Sequence, residues 1–167
     1  LPPPFWAFAW AGGQGLARYI LDNPDIVRGK RVVDFASGSG MVAIAAALAG
    51  AAHVLAVDID PWAKSAVMLN AAVNGVMIDV ISDDVIGKDL DADVLLAGDV
   101  FYDKGFADAL IPWFSTLTSK GVAVLVGDPG RAYLPKTKLV ACATYQVPVT
   151  RALEDSEVKQ TTVWRLS

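Results

Sequence analysis

The chain has 167 residues, 54% of them hydrophobic and 19% charged, with a formal net charge of −4 at pH 7. This balance predicts a compact globular protein, and the lack of a Lys/Arg cluster argues against nucleic acid as a partner because phosphate contacts need basic residues. One cysteine and one histidine cannot form an internal disulfide or supply the usual zinc ligands, so we expect no metal. The apolar runs are too short to cross a bilayer, which predicts no membrane contact.

The start of the chain, LPPPFWAFAW, is apolar but has neither the basic leading region nor the cleavage site of a signal peptide. Because the first residue is Leu1, we expect the natural N-terminus to lie upstream. Residues 1–167 have room for a single domain and none for a second substrate domain. We expect that domain to be monomeric.

Short runs rich in Val, Ile and Leu alternate with segments of helical periodicity, a pattern typical of a parallel sheet covered on both faces. In chain order the sequence predicts a helix at 11–22, a strand at 31–36, a helix at 39–49, a strand at 53–58, a helix at 61–73, strands at 77–82 and 93–98, a helix at 103–118 and a strand at 121–127. Asp60 and Pro61 can begin the third of these helices, and Asn74-Gly75 can end it.

After Gly130 the pattern changes to two β-rich stretches, 144–152 and 158–166, separated by the charged turn ALEDSE. These stretches predict an antiparallel pair at an edge of the sheet, where Pro148 is tolerable because an edge strand needs fewer backbone donors. The predicted fold is therefore α/β and Rossmann-like. It has a seven-stranded, mostly parallel sheet, helices on both faces and a C-terminal antiparallel strand pair.

A carboxylate lies at or near the end of each predicted parallel strand. These residues are Asp34, Asp58, Asp84, Asp99 and Asp128. The carboxyl ends of parallel strands meet at one edge of the sheet, which is where open α/β sheets bind ligands, so we expect these side chains to surround a site. The alternative is that each of them only begins a turn or caps a helix.

The segment VVDFASGSG (32–40) places glycines directly after the first predicted strand. Gly38, Gly40 and Ala43 satisfy the pattern G-x-G-x-x-G/A, and the acidic Asp58 ends the next strand. This pattern serves both NAD and S-adenosylmethionine. Asp34, just before the loop, would repel a diphosphate and attract an ammonium or sulfonium by about 4 kcal/mol at a separation of ~4 Å and an effective dielectric of about 20. We therefore predict S-adenosylmethionine as the cofactor.

Three segments of the chain, VVDFASGSG (32–40), LAVDIDP (55–61) and GDVFYD (98–103), together resemble the class I, seven-stranded S-adenosylmethionine-dependent methyltransferases. The residues DVFY (99–102) are similar to the motif that marks methyltransferase family 16. Residues 2–24 and GDPGRAYLP (127–135) are similar to the members of that group that methylate lysines of the electron transfer flavoprotein β-subunit. The likeness covers nearly the whole chain.

The resemblance implies a protein-lysine N-methyltransferase whose partner protein is the electron transfer flavoprotein β-subunit, working in the bacterial cytoplasm, or in the mitochondrial matrix of a eukaryote. It places around the cofactor Trp10, Gly13, Gln14, Asp34, Ala36, Gly38, Gly40, Asp58, Ile59, Asp84 and Asp99. Asp58 is expected at the ribose, and Asp84 or its neighbour Asp83 at the adenine amino group. Ala36 departs from the family, which often has Gly there; because Ala avoids positive φ, we expect an ordinary backbone conformation.

The catalytic residues that the resemblance implies are Asp99 and Tyr102. A lysine must attack as the neutral amine, which Asp99 could orient by accepting a hydrogen bond, while Tyr102 would shape the entry. The structural alternative is that Asp99 caps the following helix and Tyr102 packs on it. The likeness also suggests a substrate contact for Arg131.

Aromatic residues near the start of the chain have two interpretations. Trp6 and Trp10 could form a wall for a lysine cation or for adenine, or they could belong to the core. For Phe5 and Phe8 we favour the core. Trp62 could lie over the adenine or pack on a helix face.

Two other functions stay open. The fold also serves methyltransferases for small amines, so a soluble metabolite is an alternative substrate. A module that binds S-adenosylmethionine without turnover is the alternative of another class, although the pairing of Asp99 with Tyr102 argues against it.

Overall fold

The computed structural model describes residues 3–167, so Leu1 and Pro2, the latter being the first residue of the family-like segment 2–24, lie outside the described residues. The strands are β1 Arg31–Phe35, β2 His53–Val57, β3 Asp79–Ile81, β4 Val94–Gly98, β5 Ala123–Asp128, β6 Leu139–Pro148 and β7 Val158–Leu166. The α-helices are α1 Ala11–Asp22, α2 Met41–Leu48, α3 Pro61–Val73, α4 Lys104–Ser119 and α5 Arg151–Glu154.

The strands form one sheet in the order β3-β2-β1-β4-β5-β7-β6. Strands β1 to β5 run parallel, whereas β7 pairs antiparallel with both β5 and β6. The predicted α/β fold, a mostly parallel seven-stranded sheet with a C-terminal antiparallel pair, is confirmed. The strand order reverses between β1 and β4, and in such sheets the ligand crevice lies outside the carboxyl ends of the strands at that point.

Helices cover both faces of the sheet. Alternate strand residues point to opposite faces, so that Val32 packs with α1, α2 and α3, whereas Val33 and Phe35 pack with α4. Strands that are buried on both faces have nearly continuous apolar sequences. This is why the sequence predicts the inner parallel strands β1, β2, β4 and β5 to within two residues at each end.

The first turn of α1 crosses the ends of β4 and β5 at very close range. A Cβ atom on Gly12 would lie 2.2 Å from the carbonyl oxygen of Gly127, and a Cβ atom on Gly127 would lie 2.0 Å from the carbonyl oxygen of Gly12. A Cβ atom on Gly98 would lie 2.9 Å from the Cα atom of Gly13. Because only glycine fits at Gly12, Gly98 and Gly127, α1 can place its N-terminus directly on the strand ends.

The predicted boundaries of α3 are confirmed. The Asp60 side chain accepts a hydrogen bond from the Trp62 N–H at 2.9 Å, and Pro61 is the first helical residue. Asn74 caps the other end, and Gly75 follows with a φ of 66°. No helix in the described part of the chain is both long and apolar enough to cross a membrane.

The prediction for the first C-terminal strand is wrong at both ends. Strand β6 begins at Leu139 and ends at Pro148, which does lie on the outer strand of the sheet as expected. Most side chains of this edge strand are exposed, so the apolar pattern that marks the inner strands is weak. The short helix α5 overlaps the predicted charged turn, and Glu154 at the end of this helix is buried.

Candidate active site

The carboxyl ends of β1, β2, β4 and β5 meet the N-terminus of α1 at one edge of the sheet. Asp34 lies in β1, Asp58 follows β2, Asp99 follows β4, and Asp128 ends β5. Each of these four carboxylates accepts backbone hydrogen bonds from the loops or helix ends at this edge. The sequence therefore brings four of its five strand-ending carboxylates to one place, and the fifth, Asp84, is described below.

The loop after β1 turns sharply to meet the end of β2. The Ser37 N–H donates to the carbonyl oxygen of Val57 at 3.0 Å, and the Gly38 N–H donates to Asp58 Oδ2 at 2.8 Å. To make this turn, Ala36 has a φ of 55°, so the expectation of an ordinary backbone conformation there is wrong. An L-residue in this region costs about 1–2 kcal/mol, and such strain is typical of ligand sites.

Asp34 is the buried carboxylate beneath this loop, with 1% of its surface exposed. Its Oδ2 atom accepts hydrogen bonds from Ser37 Oγ at 2.7 Å and from the Ala43 N–H at 3.0 Å. Burial nevertheless raises the pKa of Asp34 to about 7, because the two hydrogen bonds offset only part of the desolvation. The side chain therefore changes charge near neutral pH and would favour a cationic neighbour.

Asp58 joins the glycine loop to the start of α3. Besides the Gly38 N–H, its carboxylate accepts the Asp60 N–H at Oδ1, 2.9 Å away. A carboxylate has about four acceptor positions, so Asp58 can still accept hydrogen bonds from hydroxyl groups. Next to it, the side chains of Ile59 and Trp62 are 76% and 67% exposed. Trp62 is therefore not part of the core, and whether it lies over an adenine or on a helix face stays a prediction.

A small cavity of about 50 Å³ lies between the glycine loop, the first turn of α1 and the end of β4. Its lining comprises Phe5, Phe8, Trp10, Gly13, Asp34, Ala36, Ser37, Gly38, Ser39, Met41, Val42, Gly98 and Asp99. Six of the predicted cofactor residues are among these, namely Trp10, Gly13, Asp34, Ala36, Gly38 and Asp99. Among the described residues, no group of three or more His, Cys, Asp or Glu side chains is arranged to hold a metal ion.

Five predicted cofactor residues do not line this cavity, namely Asp58 and Ile59, described above, and Gln14, Gly40 and Asp84. The Gln14 amide donates to the carbonyl oxygens of Ala9 at 2.9 Å and of Pro148 at 2.8 Å, so it ties the N-terminal segment to β6. Gly40 precedes α2 with a φ of 85°, and a Cβ atom there would lie 3.0 Å from Val67. Asp84 is exposed after β3 and accepts the N–H of Ile86 at 3.0 Å.

Asp83, the alternative to Asp84, is also exposed. Its carboxylate pairs with Lys88 at 3.4 Å. Which of the two carboxylates would meet an adenine stays a prediction.

Aromatic side chains cover the mouth of the cavity. The Trp10 indole N–H donates to the carbonyl oxygen of Phe5 at 2.9 Å, and the Phe5 ring centroid lies 5.9 Å from that of Trp10 and 6.0 Å from that of Tyr102. Phe5 is 49% exposed and Phe8 is only partly buried, so the preference for a core role of these two residues is wrong. Tyr102 is also 55% exposed at this mouth. These rings surround an entrance rather than fill the core.

Both oxygens of Asp99 are engaged. Oδ1 accepts the Gly12 N–H at 3.0 Å and two hydrogen bonds from the Arg131 guanidinium, at 3.2 Å from Nε and 2.7 Å from Nη2. Oδ2 accepts only the Gly13 N–H, at 2.8 Å, and so keeps an acceptor position. The helix that Asp99 caps is thus α1, whereas Asp103 caps the following helix α4 by accepting the Phe106 N–H at 2.8 Å.

Asp128 shapes the loop that carries Arg131. Its Oδ1 atom accepts the N–H groups of Gly130 and Arg131, both at 2.7 Å. The Arg131 guanidinium lies 6.0 Å from the centre of the Trp10 ring and also binds Glu154 through Nη1 and Nη2, at 3.0 and 2.8 Å. Arg131 therefore binds two carboxylates of its own chain.

Glu154 is the residue at this site that the sequence did not indicate. It lies 23 residues from Arg131, within a segment whose charges are typical of a solvated turn. The available signal was Arg131 itself, since a guanidinium that follows a buried strand requires a carboxylate partner. No spacing rule identifies which acidic residue supplies it.

The chain matches known proteins in both sequence and fold. The model of the ribosomal protein L11 methyltransferase (PrmA) family matches residues 18–100. A ribosomal protein L11 methylase from Lactobacillus delbrueckii subsp. bulgaricus superposes with a TM-score of 0.64 at 24% identity, over 96% of this chain and 81% of that one. A Thermoplasma acidophilum protein superposes with a TM-score of 0.69 at 20% identity, over 92% and 86%. The fold is that of the class I methyltransferases.

Closer relatives narrow this class. Electron transfer flavoprotein beta subunit lysine methyltransferases are 42% identical in Danio rerio, over 98% of this chain, and 41% identical in Xenopus laevis, over 96%. The chain belongs to this family of lysine methyltransferases. The alignment spans 66% of the length of the Danio rerio relative and 68% of that of the Xenopus laevis relative, so the chain matches about two thirds of these proteins.

Proposed function

We propose that the chain transfers methyl groups from S-adenosylmethionine to lysine side chains of a partner protein, the electron transfer flavoprotein β-subunit. The observation that carries this proposal is the acidic cavity at the edge of the sheet. Asp34 and Asp99 line it, and none of its described lining residues is basic. Such a cavity repels a diphosphate and attracts a cation. The choice of substrate rests on the family relatives, which are named as lysine methyltransferases of that subunit.

The donor set at the cavity fits S-adenosylmethionine. When bound, this cofactor supplies a methyl group on a cationic sulfonium. Asp34 would attract the ammonium of the methionine part, and the free acceptor positions of Asp58 suit ribose hydroxyls. Gly38 has a φ of 57°, a conformation that favours glycine and that the turn of this loop requires.

The cavity encloses only part of a ligand as large as S-adenosylmethionine, because Asp58 and the exposed Ile59 lie outside its lining. The cavity holds about 50 Å³, whereas pockets for ligands of drug size occupy about 300–1,000 Å³. The aromatic rings of the N-terminal segment Phe5–Trp10 would exclude water from the reacting groups. Excluding water strengthens the electrostatic interactions inside the site.

The substrate lysine must arrive as a neutral amine. Its ordinary pKa of about 10.4 lies some three units above neutral pH, so deprotonation costs roughly 4–5 kcal/mol. A wall of aromatic rings at the entrance lowers this cost because it removes water from the ammonium. The free acceptor position on Asp99 Oδ2 would then orient the amine for in-line attack, and Tyr102 would guide the side chain in.

The proposal is tested by incubating the full-length protein and radiolabelled S-adenosylmethionine with purified electron transfer flavoprotein and, separately, with a cell extract. We expect label in the β-subunit and, after hydrolysis of the protein, in methylated lysine. The partner sets the expected compartment, which is the bacterial cytoplasm or the mitochondrial matrix of a eukaryote.

Label in a soluble metabolite alone would establish a small-amine methyltransferase instead. Binding of S-adenosylmethionine by calorimetry with no labelled product would establish a module that binds without turnover. Either result would overturn the proposed reaction.

The ionisation of Asp34 should make the affinity for S-adenosylmethionine depend on pH. Its pKa of about 7 means that the carboxyl group is neutral at pH 6 and ionised above pH 7, while the cofactor ammonium stays charged over this range. Affinity for S-adenosylmethionine should therefore rise by about fivefold to tenfold between pH 6 and pH 7.5. By calorimetry, the affinity of Asp34→Asn for S-adenosylmethionine should not change with pH. The control Asp108→Asn, which removes an exposed carboxylate from α4, should show the same pH dependence as the wild type. A wild-type profile that is itself flat would contradict the role of Asp34.

A further inference from the structure

A buried ion cluster lies behind Asp99, where the loop after β5 meets α5 and β7. Arg131 bridges Asp99 and Glu154, and Lys159 on β7 donates to Glu154 Oε2 at 2.8 Å. The side chains of Glu154, Asp99 and Arg131 are only 3%, 11% and 19% exposed. Two carboxylates thus balance two cations in a part of the protein that is largely closed to water.

Stability of the fold alone does not explain this cluster, because burying its charges costs free energy of desolvation. A four-residue helix such as α5 has little stability of its own, and a carboxylate as buried as that of Glu154 loses its hydration. Buried ion pairs are often replaceable by apolar side chains without loss of stability, whereas they fix the orientation of the groups they join. The hydrogen bonds from Arg131 and Lys159 lower the pKa of Glu154 to about 2 against the opposing effect of burial, so Glu154 stays ionised beside these two cations.

The cluster also reaches the first turn of α1. The Ala11 N–H lies 3.5 Å from Glu154 Oε1, and the next two N–H groups, of Gly12 and Gly13, donate to Asp99. Two carboxylates that are linked through Arg131 therefore hold the free N–H groups at the start of this helix. Gly13 and Asp99 both line the cavity, so a shift of Arg131 would displace groups at the reacting centre.

We propose that Glu154 is a positioning residue for methyl transfer. It holds both Nη atoms of Arg131, fixes the guanidinium against Asp99 Oδ1, and so leaves Asp99 Oδ2 beside Gly13 and open to the substrate amine. Without Glu154 the guanidinium has one anionic partner and can move onto both oxygens of Asp99. This inference rests on the proposed function, because it concerns the residue that would orient the amine.

The test compares Glu154→Gln, which keeps the size of the side chain, with Glu154→Asp, which keeps the charge. Glu157→Gln is the matched control, since Glu157 is exposed in the same segment and pairs with Arg151 at 3.5 Å. In the full-length protein, kcat with the flavoprotein substrate should fall by about 10- to 100-fold in Glu154→Gln. The affinity for S-adenosylmethionine by calorimetry should stay within a factor of about three, because the charges that hold the cofactor are intact.

Glu154→Asp should recover part of the lost kcat, and Glu157→Gln should match the wild type. A folded Glu154→Gln protein with wild-type kcat would overturn the inference. If that variant does not fold, Arg131→Lys takes its place, because a lysine ammonium cannot bind both carboxylates as a planar fork. A folded Arg131→Lys protein with wild-type kcat would be equally decisive against it.

A spectroscopic measurement separates this inference from the proposed function. The Arg131 guanidinium lies 6.0 Å from the Trp10 ring, so Trp10 emission reports its position. Subtracting the emission spectrum of a Trp10→Phe protein from that of the same protein with Trp10 gives the emission of Trp10 alone. This Trp10 spectrum should shift in the Glu154→Gln background and should stay unchanged in the Glu157→Gln background. If the wild type transfers no methyl group, the proposed function fails while this readout still tests Glu154. Unchanged Trp10 emission in Glu154→Gln would overturn the positioning role.

Discussion

Replacing Asp99 with asparagine is expected to lower the rate of methyl transfer by at least about 100-fold at saturating cofactor. Asp99 Oδ1 accepts three hydrogen bonds, so the amide oxygen of asparagine will take that position. The amide nitrogen then faces the Gly13 N–H, where Oδ2 accepts a hydrogen bond at 2.8 Å in the wild type. The variant thereby loses the acceptor for the substrate amine and places two donors against each other.

Asparagine is a sharper substitution than alanine at this position. Asp99 has a φ of 57°, and asparagine tolerates this left-handed conformation better than other residues with a Cβ atom. Alanine would combine the loss of the carboxylate with backbone strain of about 1–2 kcal/mol. A loss of activity in Asp99→Ala could therefore arise from a displaced backbone as well as from the missing carboxylate.

The measurement is a single-turnover transfer assay, accompanied by circular dichroism and by calorimetry with S-adenosylmethionine. Asp108→Asn is the matched control because it removes an exposed carboxylate from α4 that pairs with Lys104, four residues away. We expect the control to transfer at the wild-type rate. If Asp99→Asn is folded, binds the cofactor and transfers within about threefold of the wild-type rate, Asp99 does not orient the amine.

Gly12→Ala is expected to destabilise the protein strongly although it adds only a single methyl group. The new Cβ atom would lie 2.2 Å from the carbonyl oxygen and 2.7 Å from the carbonyl carbon of Gly127, which belong to the backbone of β5 and cannot rotate away. Helix α1 must then lift off the sheet, and overpacking of this kind costs about 1–3 kcal/mol or more. Denaturant unfolding should show a lower midpoint with an unchanged slope.

Gly13→Ala is the control for this change, and stability is its only readout. A Cβ atom on Gly13 would meet Met41 Cε at 3.8 Å and Asp99 Oδ2 at 3.9 Å, which are ordinary contacts. Because alanine favours a helix over glycine, Gly13→Ala should be neutral or stabilising by up to about 1 kcal/mol. Equal stability of Gly12→Ala and wild type would show that α1 does not depend on its close approach to β5.

The fold was predictable because its strongest signals are local. Each inner strand is buried on both faces and is therefore a short apolar run, and Asp60-Pro61 marks the start of α3 through the geometry of a single turn. Strand β6 was predicted poorly because its pairing with β7, and not its own exposed side chains, determines where it begins.

The positions of the acidic residues followed from the sequence in the same way. Parallel strands end at one edge, so Asp34, Asp58 and Asp99 had to gather there once the strands were identified. The conformation of Ala36 did not follow, because propensity favours negative φ and the turn that forces φ to 55° depends on hydrogen bonds to β2.

The sequence by itself determined the α/β fold, the edge of the sheet that carries the site and the sign of its charge, because strand runs, glycine turns and strand-ending carboxylates are local features. Only the tertiary structure decided what those carboxylates bind. Asp99 meets Arg131 from 32 residues away, and Arg131 meets Glu154 from a further 23. Ion pairs between distant loops have no sequence period, so the partners emerge only when the packing of α1, β5 and α5 brings the charges together.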